Sequence, residues 1–126
     1  TKEGLSTLFG RRRTFPLLVQ HYDGNRINMQ LVQGEERVAI NFPIQGTAAD
    51  IIKRAMIDIH RDLTERQSNA HMILQVHDEL VFEVPENELT ETAAQVVRIM
   101  ENACDLDAPL RANAQAGDNW CDMEAV

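Results

Sequence analysis

Two kinds of hydrophobic periodicity alternate through the second half of the chain. Ile51, Ile52, Ala55, Met56, Ile59 and Leu63 recur at helical spacing, opposite Lys53, Arg54, Arg61 and Glu65. The spacing predicts a helix of roughly five turns. Gly46 or Thr47 is its expected cap, Asp50 falls in its first turn, and it ends before Ser68-Asn69. His71-Met72-Ile73-Leu74 is then an apolar run. Beyond His77, Asp78 and Glu79, the residues Leu80, Phe82 and Val84 alternate with Val81 and Glu83, the period of a half-buried strand. Two such runs around a polar turn predict a hairpin. Pro85 stops it, and Asn87 is the expected cap of a second helix carrying Leu89, Ala93, Val96, Val97, Met100 and Cys104 on one face. Leu110 to Ala116 reads as a final strand, closed by Gly117-Asp118-Asn119-Trp120.

The first half is less regular. Thr1 to Phe9 carry no start signal, so the chain is expected to begin inside an element. Residues 17–35, with Asp23-Gly24-Asn25 and Gln33-Gly34, read as a loop or a short hairpin. Asn41 to Gly46 reads as an irregular approach to the first helix, because Pro43 opposes a regular one. The pattern gives an α+β class: a small antiparallel sheet, central β-hairpin plus C-terminal strand, packed against two amphipathic helices. Its segments are 1–35, 36–66, 71–85 and 86–126.

The chain has 126 residues, 44% of them apolar, which suits one compact domain with its own core. No apolar run is long enough to span a membrane, and no secretory signal pattern is present. Cys104 and Cys121 make neither a disulfide framework nor a zinc site, so a reducing, cytoplasmic setting is expected, at the nucleoid if the source is bacterial. Charge changes the picture more. The total of -8 divides unevenly: residues 1–66 hold ten Lys/Arg against eight Asp/Glu, whereas residues 67–126 hold two against twelve. A basic front half and an acidic rear half suggest that one face meets a polyanion.

Candidate chemistry collects in two places. A carboxylate at the tip of a rigid hairpin, here Asp78, is well placed to hold a metal ion, although an ordinary polar turn has the same pattern. Arg11, Arg12 and Arg13 beside Gly10 offer charge and bidentate geometry to phosphate, or form a merely solvated basic patch.

LQVHDELVFEVP, together with ERVAINFPIQGTAADIIKRAM upstream, TLFGRRR near the start and the closing GDNW, resembles the C-terminal part of the bacterial DNA polymerase I family, the family A polymerases. Four blocks in the right order cover about Leu8 to Trp120. The resemblance implies a partial polymerase palm subdomain and transfer of a nucleotide to a primer 3′-hydroxyl by two magnesium ions clamped between aspartates. Asp78 matches the second metal-binding aspartate, Glu79 a supporting carboxylate, and His77 a residue near the primer-terminal backbone. Arg37, Asn41 and Gln45 match residues contacting primer and template, and their spacing of four suits one helical face; polar residues capping the next helix are the alternative. Arg11, Arg12 and Arg13 are further candidates for touching the duplex.

The pattern also departs from the family. Nothing resembles the motif D-Y-S-x-I-E-L-R that carries the first aspartate, or the fingers helix that grips the incoming deoxynucleoside triphosphate. The stretch between Pro16 and Glu36 looks a few residues longer than usual. The chain is therefore expected to need an N-terminal polymerase segment or partner chain, which would cover an exposed apolar sheet edge. A non-catalytic DNA-binding module using the basic front half is the alternative. A stand-alone phosphodiesterase would need more acidic ligands near Asp78 than Glu79 and Glu83 supply.

Overall fold

The structure, a computed structural model, describes residues 4–126; Thr1, Lys2 and Glu3, where the chain is expected to open inside an element, lie outside the described residues. Two compact units divide the chain, Thr1–Asp50 and Ile51–Val126.

In the first unit, β1 (Leu5–Ser6) and β2 (Arg12–Arg13) form a short antiparallel ribbon that pairs Leu5 with Arg13 and Ser6 with Arg12. Gly4 is required there. Its φ is +90°, and a Cβ would collide with the Arg13 carbonyl oxygen. Helix α1 (Pro16–Tyr22) starts with proline, whose fixed φ and missing N–H suit a first turn. It ends at Asp23, whose N–H donates to the Val19 carbonyl, with Gly24 next at φ +85°. Residues 17–35 are thus helix, turn and helix, which corrects the expected loop or hairpin: Asp23-Gly24 turns the chain between two helices, not two strands.

Helix α2 (Met29–Glu65) is 37 residues long and runs through Pro43. The irregular approach and the cap at Gly46 or Thr47 are both corrected, since these residues lie inside the helix. Pro43 removes one N–H from the ladder, but anchors stand on each side of it. The Phe42 ring meets Phe15 edge-on at 6.1 Å, and Thr47 Oγ1 accepts the Leu8 N–H at 3.0 Å. Phe15, Val32 and Ala39 are buried in this unit.

The second unit is built on the predicted apolar face. Ala55, Ile59 and Leu63 of α2 form a core with Ala70 and Ala103, against which Met72, Leu80, Phe82, Val84, Val96, Ile99 and Met100 pack. The antiparallel hairpin comprises β3 (His71–Val76) and β4 (Glu79–Glu83). Its register slips between Met72 and Leu74, and the extra residue interrupts the alternation, leaving Ile73 and Leu74 both exposed. A 3-10 turn, Glu86–Glu88, precedes α3 (Leu89–Glu101). Asn87 lies inside that turn and does not cap α3, a correction. Glu88 instead ties the start of α3 to the chain before β3, accepting from Ser68 Oγ at 2.6 Å and Asn69 Nδ2 at 2.9 Å.

The α+β class stands, with one change of pairing. The C-terminal strand, expected over Leu110–Ala116 beside the hairpin, shrinks to β5 (Gln115–Ala116) and pairs with β6 (Glu124–Ala125). The described residues therefore hold three two-stranded sheets, not one three-stranded sheet. The physical reason lies in the turn. At Gly117 a Cβ would collide with the Asp122 carbonyl oxygen, so the glycine lets the chain close on itself locally.

Candidate functional site

The hairpin places its chemistry at a two-residue turn, His77-Asp78, between paired Val76 and Glu79. His77 has φ +54°, in the left-handed region, and its carbonyl accepts from Gln75 Nε2 at 2.9 Å. A positive φ at the first central position matches the twist of the two strands, but is strained for a side-chain-bearing residue. Strain of this kind concentrates at functional sites. Asp78 and Glu79 are both exposed. The Asp78 carboxylate makes no hydrogen bond or ion pair among the described residues, so its oxygens remain open to an outside cation.

That donor set fits a magnesium ion in part. A hard divalent cation takes carboxylate oxygen alongside water and substrate oxygens, which an exposed aspartate permits. Among the described residues, however, no three His, Cys, Asp or Glu side chains converge as a metal site. Asp78 is suited to be one ligand of a shared site rather than the anchor of a closed one.

In the other unit, Arg37, Asn41 and Gln45 lie on α2, and all three are exposed. Four residues advance a helix by about one turn and a tenth, so the three share one face. This is the face their spacing predicts, now on continuous helix.

The basic triplet divides. Arg12 and Arg13 are exposed on β2, and the Arg13 guanidinium lies 5.7 Å from the centre of the Phe15 ring, a cation–π distance. Arg11 pairs within the chain while its side chain stays half exposed: its Nε and Nη2 lie 2.7 Å and 2.6 Å from Asp50 Oδ1. Thr7 Oγ1 donates to Asp50 Oδ2 at 2.8 Å and accepts the Arg11 N–H at 3.1 Å. The hydrogen bond and charge of Asp50 raise the Arg11 pKa, so this guanidinium stays protonated. Sequence reasoning placed Asp50 in a helical first turn and did not see this buried partner. The sequence hides it, because Lys53 and Arg54 follow Asp50 by three and four residues and offer it cations on its own helix face.

The profile of DNA polymerase family A matches residues 1–122. DNA polymerase I of Bacillus subtilis is 44% identical over 120 residues, 95% of this chain and 13% of that protein. The thermostable DNA polymerase I of Thermus filiformis is 43% identical over 124 residues, 98% of this chain and 14% of that protein. The chain thus spans about a seventh of the length of these curated relatives. A solved structure, the POL domain of Pol1 from M. smegmatis in complex with DNA primer-template and dNTP, superposes with a TM-score of 0.78 at 44% identity. The superposition covers 86% of this chain and 18% of that one.

Proposed function

Because this chain belongs to DNA polymerase family A, we propose that it is the C-terminal palm portion of a template-directed DNA polymerase. The observation that carries the reading is an exposed, unpaired aspartate, Asp78, at the tip of a rigid hairpin within the matched span. The bound primer-template and dNTP in the complex from M. smegmatis support it. The reaction is attack of a primer 3′-hydroxyl on the α-phosphorus of a deoxynucleoside triphosphate, with pyrophosphate leaving. Magnesium, when bound, would lend positive charge to the attacking and leaving oxygens. Asp78 is the carboxylate that would hold it from this chain, Glu79 supports the charge of the site, and His77 lies against the primer-terminal backbone.

Arg37, Asn41 and Gln45 hold primer and template from one helical face. Arg suits phosphate or a minor-groove acceptor, and Asn and Gln suit the acceptors that every base pair presents there. The other clamping aspartate, the family's first, comes from outside this chain, and so does the grip on the incoming nucleotide. Alone, the polypeptide is inactive. The ten Lys/Arg against eight Asp/Glu of residues 1–66 favour a second reading, a non-catalytic module that binds duplex DNA through its basic front half.

Primer extension separates them. The chain is assayed alone, with a polypeptide supplying the upstream motifs, and with Asp78→Ala in that mixture. Activity only on mixing, abolished by Asp78→Ala, is the expected result. Salt-sensitive DNA binding without Asp78-dependent extension would leave the binding module.

A further inference from the structure

We propose that Arg11, Thr7 and Asp50 form a clasp that positions Arg12 and Arg13 as the phosphate-contacting pair of this segment. Arg11 is then a positioning residue, not a DNA contact. This inference rests on the reading of the chain as part of a DNA polymerase.

The ribbon cannot hold its own orientation. Each of its strands has two residues, too few for a stable pair in water. Leu8 and Phe9 in its turn are exposed and supply little apolar anchoring. Polar contacts fix it instead. Asp50 is 9% exposed, and burial of a carboxylate is unfavourable unless it is paired and hydrogen-bonded. Two of its partners belong to one turn: Thr7 through its hydroxyl and Arg11 through two nitrogens. Leu8 adds its N–H to Thr47 one helical turn before Asp50.

The approach is close enough to demand glycine at position 46. A Cβ there would meet Thr7 Cγ2 at 2.6 Å, which accounts for a residue that otherwise weakens a helix interior. The strand leaving this clasp carries Arg12 and Arg13, both exposed, and Arg13 is steadied over the buried Phe15 ring. Two exposed arginines on a pinned ribbon, in the net-positive half of the chain, suit the regular phosphates of a duplex.

The test uses the full-length polymerase containing this segment, with primed-duplex affinity measured across a salt series and extension kinetics alongside. Removing one phosphate-bound cation makes the slope of log K against log salt shallower by about one unit. Arg12→Gln with Arg13→Gln should remove about two units. Thr7→Val, of equal shape but without the hydroxyl, should remove about one and raise the primer-template KM rather than lower kcat. Thr7→Ser should restore the slope. Thr7→Val added to the two arginine changes should alter it no further. A wild-type slope after both arginine changes, or a Thr7→Val effect of the same size with and without those arginines, would overturn the clasp. If Thr7→Val does not fold, Arg11→Lys, which keeps the charge and loses the fork, is read by the same criteria. Failure of the polymerase reading looks different: the unaltered enzyme would not extend a primer at all.

Discussion

Ser68 donates its hydroxyl hydrogen to Glu88 at 2.6 Å across twenty residues of sequence, and this bond joins the chain leaving α2 to the start of α3. Asn69 adds its backbone and side-chain N–H groups to the same carboxylate at 3.1 Å and 2.9 Å. The hairpin is the segment enclosed between these ends, so its base is fixed by one ionised side chain. The Ser68 and then the Asn69 hydrogen bonds hold the Glu88 carboxyl below its ordinary pKa.

A depressed carboxylate pKa makes the stabilisation pH-dependent in one direction. It is fully present above the unfolded-state value near 4.5 and is lost as pH falls through the lower folded-state value. Ser68→Ala should therefore cost stability at neutral pH and flatten the decline below pH 4.5, as read from thermal melts across pH. Parallel acid limbs for both proteins would exclude the Ser68 bond as the cause.

Ile59 and Ile57 sit two positions apart on α2, one fully buried and the other 60% exposed. Ile59→Ala should cost about 2–5 kcal/mol by opening a cavity in the second unit. Ile57→Ala should stay within about 0.5 kcal/mol. Urea midpoints of the two variants measure the difference, and equal losses would mean a different helix rotation.

At the hairpin tip, removing charge and relieving strain should separate. Asp78→Ala should reduce extension by the reconstituted enzyme at least about 100-fold, since even groups that only support a metal ligand cost about 10–100-fold. The Asp78 side chain is exposed, so its stability should change by no more than about 0.5 kcal/mol. His77→Gly should leave stability nearly unchanged, because relief of about 1 kcal/mol at positive φ is offset by a more flexible unfolded chain. His77→Val should cost about 1–3 kcal/mol, since a branched side chain tolerates φ +54° poorly. Melting curves for the pair, with primer extension for Asp78→Ala, check these values.

Much of the second unit is legible in the sequence because its signals are periodic. The Ile52, Ala55, Ile59 and Leu63 face, the hairpin and α3 all follow from spacing alone. The first half of α2 does not. Gly34, Pro43 and Gly46 punctuate it as a loop would, and contacts from distant residues override that local preference: Phe15 on Phe42, Leu8 on Thr47, Thr7 and Arg11 on Asp50. No spacing rule reveals pairs separated by 39 or 43 positions. At the site, the shared face of Arg37, Asn41 and Gln45 is readable from periodicity. The metal role proposed for Asp78 rests on family resemblance, since a polar turn alone has the same pattern.

Pro43 offers the sharpest trial of the DNA contact proposed for α2. Proline within a helix forfeits the N–H bond to the carbonyl four residues back, here Ala39, and crowds it, at a cost of about 3 kcal/mol. Pro43→Ala should recover part of this, about 1–3 kcal/mol, and raise the melting temperature. The same position lies between Asn41 and Gln45, so the local helix geometry sets how those two amides are aimed relative to each other. Restoring the missing N–H bond should re-aim them. The variant should bind primed duplex a few-fold more weakly while being more stable, a trade typical of stabilising changes beside a working site. Thermal melts and primer-template KM, measured on one preparation, decide it. Higher stability with unaltered KM would mean that the proline does not set the DNA-facing geometry.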